Sequence, residues 1–138
     1  IAALNRFDPL YRQAMARRFT WRLGIKAQGE DADIALIGAG EKYMREAGIG
    51  PDAFFFTHRG GRGSAEGEFG ELLSTYKRAG EDTAPLWSEN AAPNLIIEEV
   101  ERVWDAIDKR DDWAPLNQKV TEIRTLGEAL GSNSSPPR

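Results

Sequence analysis

Hydrophobic positions recur at helical spacing along nearly the whole chain, and no segment sustains a two-residue alternation of β-branched residues. Asp8-Pro9 predicts a helix start, an acidic N-cap followed by proline at the first helical position. Tyr11, Ala14, Met15 and Phe19 then form the expected inward stripe, and Gly24 follows Leu23 as a C-cap. The polar turn "AQGED" leads to a second helix whose stripe is Leu36, Tyr43, Met44 and Ala47, with Ile34 and Ile37 alongside. Gly38 and Gly40 lie inside it, where each costs about 0.5–1 kcal/mol relative to alanine. Such glycines suit a site where another helix approaches closely. "AGIG" at 47–50 ends the element.

Pro51-Asp52 opens a short third segment that runs to Gly60 and Gly61. Phe54, Phe55 and Phe56 are consecutive and cannot share one helix face, so two should go inward while the third covers a neighbour. Ser64 is the expected N-cap of a fourth helix carrying Phe69, Leu72, Leu73 and Tyr76 at i, i+3, i+4 and i+7, with Gly80 closing it. Glu66, Glu68 and Glu71 sit in its early turns, where the helix dipole favours acids. The proline-bearing loop "EDTAPLWSENAAPN" should be pinned to the core by Trp87. In "NLIIEEVERVWDAIDKR", Ile96, Val100, Val103, Trp104 and Ile107 share a face, with Asn94 a candidate cap. "DDWAP" at 111–115 breaks the chain before a last helix carrying Leu116, Val120, Ile123 and Leu130. These elements predict an all-α fold, an irregular bundle of five or six helices over residues 1–130. Residues 131–138, "GSNSSPPR", should form a flexible tail.

Composition narrows the chemistry. At 138 residues, with 41% hydrophobic and 29% charged residues, the chain is long enough to bury a core as one domain. Its net charge of −4 exerts no general pull on nucleic acid or anionic membrane. Arg12, Arg17, Arg18 and Arg22 form a local basic set, read as a solvated face. The lack of cysteine excludes disulfides, thiolate metal sites and cysteine nucleophiles, and fits a cytoplasmic location. A single histidine excludes a two-histidine zinc site within one chain. No apolar run approaches the ~20 residues that span a bilayer, and no secretory signal is visible. The first residue is Ile1 rather than Met, so a fragment of a larger protein or a processed product is expected.

Candidate chemistry gathers in "FFFTHRGGRGS", residues 54–64. Its glycines lack the lysine that a nucleotide-binding P-loop needs, and they follow a helix rather than a strand. Arg59, Arg62 and Ser64 could still contact an anion at the start of the next helix, although the glutamates that follow oppose it. A surface loop is the favoured reading. His58 could act as a general base, but no nucleophile or orienting partner is nominated, and a structural histidine at a helix end is favoured. The acidic pairs Glu98/Glu99, Asp31/Asp33 and Asp111/Asp112 read as solvated acids rather than metal ligands. Trp21, Trp87, Trp104 and Trp113 read as core rather than base-stacking residues. No catalytic, cofactor-binding or metal-binding residue is assigned.

Three stretches, "DPLYRQAMARRFTWRLGI", "FFFTHRGG" and "LIIEEVERVWDAIDKRDDW", resemble the C-terminal region of the selenoprotein O family of protein adenylyltransferases, in its bacterial branch. The resemblance spans most of residues 7–130. It implies a parent with a kinase-like fold that moves AMP from ATP to hydroxyl side chains of other proteins, using a divalent metal such as magnesium. The residues holding nucleotide and metal would lie in a kinase-like core upstream of the region resembled, so this chain would hold no cofactor and would not itself be catalytic. Its implied partners are that core and the parent's protein substrates, with no nucleic acid or membrane. Relatives with a cysteine or selenocysteine near the C-terminus differ from this chain, and the "NP…LRN" pattern of other branches is replaced by "APNLIIEEVERVW". The alternative is a free-standing helical protein-interaction domain. In either case, an uncovered apolar face should favour self-association, expected at Phe54, Phe55 and Phe56 or around Trp87.

Overall fold

A computed structural model describes residues 2–89 and 91–131, and the side chains from Phe7 onward. The chain is all-α. Six helices run in order: α1 (Ala2–Leu23), α2 (Glu30–Ala47), α3 (Pro51–His58), α4 (Gly67–Ser74), α5 (Ile97–Arg110) and α6 (Ala114–Gly131). Two 3₁₀ turns, Arg59–Gly61 and Pro85–Ser88, interrupt the connections. Among the described residues there is no strand, only an isolated antiparallel bridge between Ile25 and Arg78. The expected tail lies outside the described residues beyond Gly131, which is the last residue of α6. No helix of the described residues is long and apolar enough to cross a membrane.

Two hydrophobic clusters make the core. The larger joins α1 to α4 through Phe19, Leu23, Leu36, Phe54, Phe69 and Leu73. The smaller packs Phe56 and Trp87 against Ala129, with Leu126 and Leu130 beside them, and so fastens α6 to the body. α3 serves both. Phe54 and Phe56 are two residues apart, about 200° around a helix, so they project into different clusters. Phe55 covers the flank, edge-on to Phe19 at 5.1 Å. Gly40 marks the tightest approach in the larger cluster. A Cβ there would lie 2.9 Å from Phe19 Cζ and 3.1 Å from Phe54 Cζ, whereas Gly38 faces open space.

Helix ends explain several departures from the sequence reading. α1 starts before Asp8-Pro9 and carries Pro9 inside it, at the sacrifice of one backbone hydrogen bond. Its inward face is Ala16, Phe19, Thr20 and Leu23, while Tyr11, Ala14 and Met15 are exposed. Taking 100° per residue, Phe7, Leu10, Tyr11 and Ala14 centre on the side opposite Ala16 and Leu23, so the apolar face of α1 changes sides halfway along. Gly24 does end the helix, at φ +65°. Its N–H donates to the Trp21 carbonyl at 3.0 Å and the Ile25 N–H to Thr20 at 3.1 Å, a Schellman closure. α2 buries Leu36, Ile37 and Ala39, leaves Tyr43 and Met44 half-buried and exposes Ala47.

Ser64 does not cap α4. That helix begins at Gly67 after Glu66 and ends near Thr75, well before Gly80. The chain from Tyr76 onward instead crosses to the end of α1. There the Lys26 N–H donates to the Lys77 carbonyl at 2.8 Å and the Ala79 N–H to Gly24 at 2.9 Å. Asp33 anchors the same corner, accepting from the Gln28 N–H at 3.1 Å and the Tyr76 hydroxyl at 2.9 Å. Burial and that carboxylate push the Tyr76 phenol well above its ordinary range.

α5 and α6 form an antiparallel hairpin. Asp111 takes the left-handed conformation at φ 49°, and Asp112 accepts from the Ala114 N–H at 3.0 Å, with Pro115 in the first turn of α6. Asn94 is not the cap of α5, since Ile96 occupies that position. Only Val103 and Ala106 of α5 are buried. Of the rest of the stripe read as core, Ile107 is half-buried, while Ile96, Val100 and, at 61%, Trp104 are exposed. Trp113 is 51% exposed, and Val120 and Ile123 are exposed on α6. Trp104 and Trp113 are therefore surface residues, and of the four tryptophans only Trp87 is fully enclosed.

Candidate functional site

Residues 54–64, singled out by their histidine, arginines and glycines, lie where α3 ends against the C-terminal end of α1. His58 is 1% exposed. Its ring packs against Tyr43, Phe54 and Phe69, each with centroids 5.3 Å away, in an aromatic box drawn from α2, α3 and α4. Among the described residues, neither ring nitrogen makes a hydrogen bond of good geometry. Burial lowers its pKa from the ordinary imidazole value, and the nearby backbone of Arg62 opposes this in part. The imidazole is thus held neutral, away from solvent. The helix-end histidine foreseen from sequence is in place, but it is packed rather than hydrogen-bonded or solvated.

Arg59 is equally enclosed. Its side chain is 2% exposed and meets Asp82, 6% exposed, at 2.8 Å. Nη1 donates to the Arg22 carbonyl at 3.1 Å, one of the carbonyls left open at the end of α1. The guanidinium lies 4.3 Å from the Trp87 ring centroid. Arg62, half-buried, donates to the carbonyls of Arg59 (3.1 Å), Phe56 (3.3 Å) and Trp87. Arg78 donates to the Gly60 carbonyl at 2.7 Å, and Gly60 sits at φ +64° with no room for a side chain beside that arginine. Arg59 and Arg62, candidate anion contacts beside the favoured reading of a surface loop, thus turn toward backbone carbonyls, Asp82 and Trp87. Ser64 is exposed, outside any helix and three residues before α4. The cluster is a clamp holding the Trp87 turn and the end of α1 to α3.

The acidic pairs do not converge. Asp33 serves the α2 start, Asp111 and Asp112 the hairpin turn, and Glu99 a charge network on the hairpin. Among the described residues, no three His, Cys, Asp or Glu side chains gather as a metal site. In the hairpin network, Lys119 Nζ lies 2.9 Å from Glu99 and 2.6 Å from Glu122, and Arg102 meets Glu99 at 2.9 Å. Arg102, and then Lys119, hold the Glu99 carboxyl down at about 2. Lys119 is raised by Glu122 and Glu99. Glu99, Lys119 and Glu122 border an open cleft of about 750 Å³ that also meets Asn94, Asn117 and Thr125. Sequence reasoning did not single out Lys119, Asp82 or Arg78. The spacings Glu99–Arg102 and Lys119–Glu122 were visible as helical i, i+3 pairs, but nothing local announces a pair 23 residues apart such as Arg59–Asp82.

The basic set on α1 is divided. Arg12 pairs with Asp8 at 3.1 Å and Arg22 with Asp52 at 2.7 Å, while Arg18 leans over Trp21 at 5.7 Å. Phe54, Phe56 and Trp87 are buried, so the uncovered apolar surface expected at those positions lies instead on the first half of α1 and on the α5–α6 hairpin. No protein family, curated protein or solved structure matches the chain.

Proposed function

We propose that this chain is the helical C-terminal part of a selenoprotein O-like protein adenylyltransferase. The parent moves AMP from ATP to protein hydroxyls in the cytoplasm, with ATP and a divalent metal held by a kinase-like core outside this chain. The chain packs on that core and supplies no reacting group. The resemblance over residues 7–130 supports the activity. The observation that carries the ancillary role is the apolar face of α5 and α6, where Ile97, Val100, Trp104, Trp113, Val120 and Ile123 stand exposed. A face of this kind marks a surface built to be covered. The buried state of His58 and the inward commitment of Arg59 and Arg62 are in keeping with a structural part.

The test is AMP transfer from ATP labelled at the α-phosphate, in the presence of magnesium. The complete gene product should label itself or an added protein, and residues 1–138 alone should not. A complete product without label transfer overturns the reading in favour of an interaction domain.

A further inference from the structure

The first half of α1 is an arm. Every residue from 7 to 15 is exposed, and the helix joins the core only from Ala16. The arm is amphipathic all the same. Phe7, Leu10, Tyr11 and Ala14 form one ridge, and the Phe7 and Tyr11 rings are stacked at 5.7 Å. Leu10 is 61% exposed, and the ridge has no partner among the described residues. Arg17 and Arg18 flank it, both exposed.

The hairpin presents the counterpart. With 3.6 residues per turn, Ile97, Val100 and Trp104 form one exposed ridge on α5, and Trp113 of the turn stands exposed with Val120 and Ile123 of α6 on the same hairpin. Beyond Trp104, the outer flank of α5 carries Glu98, Glu101, Asp105 and Asp108, all exposed. An apolar ridge accompanied by arginines and an apolar face edged by carboxylates match in both hydrophobicity and charge. Each copy of the chain carries both.

We propose that the α1 arm of one copy lies on the α5–α6 face of a second copy, reciprocally, in a two-fold dimer. Two arms and two faces are then satisfied at once, as an isologous interface requires. The carboxylate edge of α5 receives Arg17 and Arg18 of the other copy and fixes the direction of the docked helix. This inference does not rest on the function proposed above. A kinase-like core and a second copy would compete for the same face, so a dimer through it in the complete gene product would remove the observation that carries the ancillary role, while failure of the dimer leaves that role standing.

The experiment is light scattering after size-exclusion chromatography on residues 1–138 at about 100 μM, a concentration that populates even a micromolar complex. The expected result is a dimer. L10E/Y11E on the arm and V100E/W104E on the face should each give a monomer with unchanged helical circular dichroism, because all four positions are exposed. Mixing the two variants should restore a dimer, weaker by at least about tenfold, since one arm and one face stay intact in the pair. Reversing Arg17 and Arg18 to Glu should weaken the wild-type dimer about tenfold, more at low salt than at high. A monomeric wild type overturns the proposal and assigns the face to a different protein. So does a dimer indifferent to both variant sets, or a mixture that stays monomeric.

Discussion

Replacing His58 with phenylalanine tests whether the aromatic box holds a neutral, unsatisfied imidazole. The ring is 1% exposed, and both nitrogens lack a hydrogen bond of good geometry among the described residues. A neutral imidazole carries one N–H donor and one lone pair, and each buried group left unmade costs about 1–3 kcal/mol. Phenylalanine removes both. It also adds volume to a box already walled by Tyr43, Phe54 and Phe69, and overpacking costs about 1–3 kcal/mol. The two ranges overlap, so stability at one pH does not decide the matter, but its pH dependence does. With the native pKa lowered, the unfolded chain binds more protons than the folded one between that value and 6.5. Stability from this group is complete above pH 6.5 and is lost as pH falls below it, by about 1.4 kcal/mol per pH unit for one proton. Urea unfolding of wild type and H58F between pH 7.5 and 5.0 measures the difference directly. Wild type should weaken across that window while H58F stays nearly level. Parallel profiles would show that His58 titrates freely in the folded protein and would refute the enclosed box.

Two further substitutions probe the clamp and the helix crossing. R59M removes one ionic partner of a carboxylate that is only 6% exposed, together with a donor to the end of α1, and should cost about 3–5 kcal/mol. That is a large share of the ~5–15 kcal/mol typical of a domain. It should read as a steep fall in melting temperature, which R59M/D82N partly restores. G40A should destabilise by about 1–3 kcal/mol because its Cβ meets Phe19 and Phe54, while G38A in the same helix meets nothing and should stabilise by about 0.5–1 kcal/mol. Denaturant midpoints of opposite sign for the two alanines are the check.

The helical architecture was legible because amphipathic period is a local property. Helix breaks at Gly24, 47–50 and 111–113 were equally plain, since glycine, proline and aspartate carry their turn chemistry with them. Trp87 as the anchor of its loop followed from the isolation of one large ring among small polar residues. What failed was the assignment of faces. Tyr11, Met15 and Phe19 fit one helical stripe, yet only Phe19 is inward, because the arm has no neighbour and the core face lies on the other side of α1. Val100 and Trp104 fit a stripe as well, and the stripe exists, but nothing among the described residues covers it. Periodicity locates an apolar face without naming what rests on it. The clamp was illegible for a different reason: Arg59 is recognised by Asp82 and by helix-end carbonyls of α1, all of them remote in sequence.

The arginines of the glycine-rich segment illustrate how one composition can serve opposite purposes. Backbone N–H groups at a helix N-terminus attract anions, and backbone carbonyls at a C-terminus attract cations. α1 ends at Leu23 and α3 at His58, and Arg59 joins these two C-termini, donating to the Arg22 carbonyl of the first while immediately following the second. Arg62 likewise spends its donors on carbonyls, including Phe56 in the last turns of α3. The local field is therefore of the sign that holds guanidinium groups and repels phosphate. α4, the nearest helix N-terminus, starts at Gly67 between Glu66 and Glu68, and those acids already satisfy the sign preference of its dipole. Sequence order alone placed arginine and glycine ahead of a helix and suggested an anion cradle. The direction in which the neighbouring helices run turns the same residues into a clamp, and a site with two converging helix C-termini and buried arginines is built for rigidity.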